Sequence, residues 1–181
     1  MEVVMKLKRI YENLLTEAGL ARMLSQMTSK YWCVMSAERI SNSPLENEEA
    51  TRALVDMLNK RRMGGYPLIG HWQEAPDGID YQDAEPDTLT DTTENAMMFI
   101  KPDDASPEKF IQFCISLSVK YNQDAVIIGV PENGMDEIFL YYPSGKRDLI
   151  GNQVTLDKIG QGYSQLKAKP NVPFVFEGIK K

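Results

Sequence analysis

The chain is poor in soft metal ligands: 181 residues contain two cysteines and one histidine. Cys33 and Cys114 each lie in an apolar segment and read as reduced core thiols, with nothing that requires a disulfide between them. With His71 as the sole imidazole, a zinc site lacks enough ligands, and no cofactor is expected. No stretch approaches the roughly 18 apolar residues of a membrane helix, so no membrane partner is expected. The first apolar run is too short for a secretory signal and is interrupted by Glu12 and Glu17. Positive charge is also scarce. The balance of 20 Lys and Arg against 26 Asp and Glu, a net −6, disfavours a protein whose main work is gripping nucleic-acid phosphates.

What remains is enough apolar sequence for one real core in a single domain. Ser43-Pro44-Leu45-Glu46 carries a capping residue, a proline for the first helical position and a glutamate to close a capping box. Ala50, Ala53, Leu54, Met57 and Leu58 then form one apolar stripe, which Gly64-Gly65 should stop. Ser106-Pro107-Glu108 opens a second helix, with Phe110, Phe113, Cys114, Leu117 and Tyr121 as its stripe. Strands are expected at 32–35, 66–72, 96–100, 125–130, 138–142 and 173–176, with a weakly periodic stretch over 154–166. Between 73 and 95 eight carboxylates occur without one Lys or Arg, punctuated by Pro76, Gly78 and Pro86, which predicts a long, exposed acidic loop. The expected fold is a single α+β domain. A mostly antiparallel sheet carries two well-capped helices, and an N-terminal helix precedes it.

The N-terminus runs Met5-Lys6-Leu7-Lys8-Arg9-Ile10-Tyr11-Glu12-Asn13-Leu14-Leu15-Thr16-Glu17-Ala18, a basic-then-apolar amphipathic pattern. It resembles the leader of tailed-phage internal head proteins, which a prohead protease cuts after an aliphatic-x-Glu triplet. Leu15, Glu17 and Ala18 stand at the matching positions, which implies a leader over 1–17, a domain over 18–181 and a prohead protease as partner if the protein is packaged. Read structurally, the same residues are a plain N-terminal helix continued by Leu20, Met23, Leu24 and Met27.

A second likeness spans more than half the chain. Its marks are a strand ending Ser36-Ala37, the pair Glu46-Asn47 opening a helix with Arg52, Gly65-Tyr66, and Gly70-x-Trp72 with Glu74. A strand beginning Glu94-Asn95 and a helix running into Tyr121-x-Gln123-Asp124-Ala125 complete it. The pattern resembles a small bacterial and phage domain family of unknown function, which implies an α+β fold and no particular activity.

The residues of that pattern predict a polar groove at one sheet edge. Glu38, Arg52, His71 and Glu74 are the catalytic candidates if the protein is an enzyme. Ser36 lacks the flanking glycines of a nucleophile elbow. The structural alternative pairs Arg52 with Glu38 or Glu74 and lets Trp72 cap the core. Lys60, Arg61 and Arg62 offer a phosphate site with Tyr66 and Trp72 as stacking platforms, or simply a solvated helix end.

These features lead to a phage accessory protein, in the virion head interior and the host cytoplasm, that binds a host protein in takeover or anti-defence. Asp80, Asp83, Glu85 and Asp87 of the acidic loop are the expected contact residues. The alternatives are an enzyme acting on nucleic acid or nucleotides through the polar groove, and a virion structural component.

Overall fold

The computed structural model describes residues 19–74, 76, 79, 83–132, 135–156 and 162–177. Helix α1 spans 19–27. There follow β1 (Trp32–Ser36), α2 (Pro44–Lys60), β2 (Gly65–Glu74), a 3-10 turn (Pro86–Thr88), β3 (Thr90–Ile100) and α3 (Pro107–Lys120). The chain then stays in strands: β4 (Val126–Glu132), β5 (Met135–Tyr141), β6 (Arg147–Gly151), β7 (Gln153–Thr155), β8 (Gly162–Leu166) and β9 (Lys169–Glu177). Every strand pairing is antiparallel, in the order β6-β5-β4-β1-β3-β2-β8-β9-β7. The α+β expectation of a mostly antiparallel sheet with two capped helices holds.

Both caps form as the sequence predicts. The Ser43 hydroxyl accepts the Glu46 N–H, and Glu46 in turn accepts the Ser43 N–H at 2.7 Å. Ser106 accepts the Lys109 N–H at 3.3 Å. The Ser43 contacts hold the Glu46 carboxyl below its usual range, so what this pair contributes is lost as pH falls through that lowered value. Ser43→Ala should lower stability by about 1 kcal/mol, read as a shifted denaturant midpoint at unchanged slope.

The two helices also end alike, in Schellman turns. Met63 N–H donates to the Leu58 carbonyl, and Gln123 N–H to the Ser118 carbonyl. The left-handed residues are Arg62 (φ 56°) and Asn122 (φ 51°). Asparagine is a usual occupant of that place; arginine there costs about 1–2 kcal/mol. Helix α2 thus ends at Lys60, four residues before Gly64, and not at the glycine pair.

Strand alternation sorts β1 and β3 between two cores. Cys33, Met35, Met97 and Phe99 face α2 and α3, where Leu54, Leu58, Phe110, Cys114 and Leu117 meet them. Both cysteines are free and sit in that core, and burial raises the Cys33 thiol well above its ordinary value. Trp32, Val34, Ala96 and Met98 face the other way, toward Leu68, Ile138, Leu166 and Phe174 and the buried α1 residues Leu20, Met23 and Met27. The sheet curls around this second core until β6 touches β9 and β5 touches β7, which gives a nearly closed barrel. Trp32 anchors its interior, donating its indole N–H to the Met27 carbonyl at 2.9 Å and stacking on Phe176 at 5.4 Å. The Trp32 ring lies flat against Gly129 on β4: a Cβ at that position would fall 2.0 Å from the ring.

One expectation needs correction. The acidic segment is not a loop from 73 to 95, because β2 runs out to Glu74 and β3 begins at Thr90, paired Glu74↔Thr90. Thr90, Thr92 and Thr93 suit an exposed, pleated ribbon, and this β propensity outweighs the charge. The weakly periodic stretch over 154–166 begins in β7 and ends in β8, and residues 157–161 lie outside the described residues.

Candidate active site

Large side chains fill one end of the barrel, and small ones line the other. Interior positions near the second end are Ser36 on β1, Ala96 on β3, Gly70 on β2, and Gly162 and Ser164 on β8. Their missing volume opens a cavity of about 280 Å³ walled by Val34, Ile127, Leu140, Ile150 and Phe176. The cavity continues outward into a groove of about 600 Å³ that shares Trp72, Glu94, Gln123, Ala125 and Leu140 with it. Small-molecule sites occupy roughly 300–1,000 Å³ and combine apolar walls with a few polar groups, which is the composition found here.

Two side chains stand at the junction. Trp72, the neighbour of His71 on β2, is 52% exposed, and its ring covers Gly162, where a Cβ would come within 2.6 Å of it. Glu94 is exposed, and its side chain lies across Gly70, 3.4 Å from where a Cβ would stand. Glu94 is the single carboxylate among the described residues lining the inner cavity. An aromatic face and a carboxylate in the lining of one cavity have the chemistry that suits an organic cation.

A hydrogen-bonded frame fixes this mouth. Glu38 accepts from the Asn95 N–H at 2.9 Å and from the Asn95 side-chain amide at 2.6 Å, while its own carbonyl accepts from Gln123 at 2.9 Å. The Ser36 hydroxyl donates to the Asn95 carbonyl at 2.8 Å and accepts the Glu38 N–H at 3.0 Å. Asn47 clamps Arg39 at both its N–H and its carbonyl, and Arg39 reaches Asp124 at 3.5 Å. Asn95 is the neighbour of Glu94 on β3, so the network sets where the Glu94 backbone sits. Asn95→Ala should therefore weaken ligand binding more than it weakens the fold, and paired titration and melting experiments read both.

The sequence candidates separate into three places. Glu38 lines the outer groove with Trp72 and Glu94, and also a neighbouring shallow cleft that it shares with Arg52 and Lys167. Arg52 pairs with Glu48 at 2.8 Å one helical turn away, and Glu38 is occupied by Asn95 instead. His71 borders the inner cavity and stacks on Tyr163 at 4.3 Å. Glu74 ends β2, and its side chain lies outside the described residues. Trp72 caps no core; it is part of the site. Asp83, Glu85 and Asp87 are exposed beside the 3-10 turn, while Asp80, Leu15, Glu17 and Ala18 lie outside the described residues. Sequence reasoning missed Glu94 as a site residue because it stood inside a presumed loop. Its signal was the small-residue alternation of Gly70, Ala96, Gly162 and Ser164, which only strand pairing brings together.

No curated protein sequence matches the chain. Residues 33–169, from β1 through the start of β9 and so including every element of the mouth except the end of β9, match the S-Adenosylmethionine lyase family. A match over that share of the sequence is decisive, and the chain belongs to the S-adenosylmethionine lyase family.

Proposed function

We propose that the protein is an enzyme that cleaves S-adenosylmethionine at the barrel mouth. The observation that carries this reading is that Trp72 and Glu94 both line the entrance of an apolar cavity, in a chain of this family. The ligand has an adenine ring, a sulfonium and an amino-acid end. Trp72 offers a face to the ring or the sulfonium, and Glu94 a carboxylate to the cationic groups. A sulfonium is its own leaving group. The carbon–sulfur bond breaks with its electron pair going to sulfur, which departs as a neutral thioether. The carbon is satisfied from within the same molecule, by its own carboxylate or by loss of a neighbouring proton to a base such as Glu94. The apolar wall favours this discharge of a localised cation.

Rapid mixing of the unaltered protein with S-adenosylmethionine, read before turnover, tests the binding half. Ligand should quench the exposed Trp72 and leave the buried Trp32 unaffected, and Trp72→Phe should remove the quench. A quench that survives Trp72→Phe places the ligand elsewhere.

The biological role that fits is a phage accessory protein of the anti-defence class, since consuming S-adenosylmethionine removes the methyl donor that restriction–modification systems draw on. A second reading, host-protein binding, is supported by the exposure of Asp83, Glu85 and Asp87. Neutralising Asp80, Asp83, Glu85 and Asp87 should then slow association most at low salt while the melting temperature stays put. Packaging in the head through the N-terminal leader is tested by sequencing the N-terminus of virion-derived protein, which should begin at Ala18.

A further inference from the structure

A second cleft, of about 500 Å³, lies at the opposite end of the same strands. Strand β2 enters it at Tyr66 and reaches the barrel mouth at Trp72, roughly 20 Å away at the usual strand rise of about 3.3 Å per residue. Four cations line it, Arg22, Lys30, Arg62 and Lys101, against one carboxylate, Asp103. Lys30 is spent on Asp103 at 3.0 Å, and Lys101 on the carbonyls of Pro102 and Ala105 at 2.9 and 2.7 Å. The guanidinium groups of Arg22 and Arg62 make neither an ion pair nor a hydrogen bond with any described residue.

We propose that this cleft binds a phosphate-bearing small molecule, a di- or triphosphate of nucleotide size, gripped by the guanidinium groups of Arg22 and Arg62. Three observations converge on it. The net charge of the lining is +3 in a chain whose net charge is −6, so the concentration of cations is local and runs against the composition. Arg62 holds a left-handed backbone in a helix-ending turn whose twin, at Asn122, uses a residue that tolerates the conformation. Glycine at 62 would relieve the strain, as Gly64 close by shows glycine to be available; a strained arginine aimed into a cleft points to a use for its side chain. The neighbouring Arg61 is turned away, over the Phe113 ring at 4.5 Å, so the basic pair is divided between packing and the cleft. Guanidinium forks match phosphate oxygens in pairs, and Tyr66, its hydroxyl donating to Gln26 at 2.8 Å, gives the wall a flat ring.

Calorimetric titration of the full chain with inorganic tripolyphosphate and with ATP tests the assignment. Both should bind, more weakly as salt rises. Arg62→Gly should lower affinity for each about tenfold while raising the melting temperature by about 2–4 °C, because it removes the backbone strain. Arg22→Ala should lower affinity similarly, and Lys109→Ala, a charge removed from the exposed face of α3, should leave it unchanged. Equal losses in Lys109→Ala and Arg62→Gly would reduce the site to diffuse attraction and overturn the proposal. So would unchanged affinity in Arg62→Gly, or binding of a single-stranded oligonucleotide with none of ATP or tripolyphosphate.

Discussion

Glu94→Gln is expected to lower the turnover of S-adenosylmethionine by about 10²–10⁴-fold, the usual span for loss of a positioned acid–base group. The substitution keeps the shape of the side chain that lies across Gly70 and removes its charge. Glu94 is exposed and belongs to neither core, so the melting curve should not move. Glu38→Gln makes the informative contrast. Both Glu38 oxygens already accept hydrogen bonds from Asn95, which marks it as a positioning residue. Its loss should cost far less in turnover than the loss of Glu94. Equal effects would make Glu38, which lines the outer groove with Trp72 and Glu94, a second acting group and not a positioning residue.

The largest effect on stability should come from the contact between Trp32 and Gly129. Trp32→Ala removes a fully buried ring, its stack on Phe176 and its bond to the Met27 carbonyl, at a cost of roughly 3–5 kcal/mol. Gly129→Ala attacks the same contact from the other side. Its methyl would need the space of a ring fixed at both ends, and a strained core typically costs about 1–3 kcal/mol. Denaturant melts of the two single variants and the double variant separate the terms. Once the ring is gone the added methyl has room, so the double variant should be less destabilised than the sum of the two singles.

The local parts of the fold were written in the sequence. Both helix caps, the α3 stripe and the strand at Trp32 rest on neighbours in the chain and formed where composition placed them, while in α2 Ala53 is exposed and Val55 packs beside Leu54 and Leu58 instead. The site was harder to see. Its cavity arises from small residues at Gly70, Ala96, Gly162 and Ser164, which lie on three strands and become neighbours only through pairing such as Leu68↔Ala96 and Gly70↔Ser164. Charge misled where it counted most. The run of carboxylates read as a loop, yet Thr90 to Glu94 form ladder rungs with β2 and bring Glu94 to the mouth. His71 drew notice as the lone histidine, while the exposed neighbour Trp72 is the better-placed receptor. Arg52 was read as a long-range partner and instead pairs within its own helix, as i,i+4 spacing favours.

Incubating the purified full chain with S-adenosylmethionine in ¹⁸O-water, and weighing the products at early times by mass spectrometry, tests the central claim most directly. A lyase working at the barrel mouth predicts two fragments whose masses sum to that of the substrate, a thioether among them. Neither fragment should carry ¹⁸O, and both should form about 10²–10⁴-fold more slowly with Glu94→Gln. Substrate that stays intact, fragments that carry a solvent oxygen from the start, or full turnover by Glu94→Gln would contradict it.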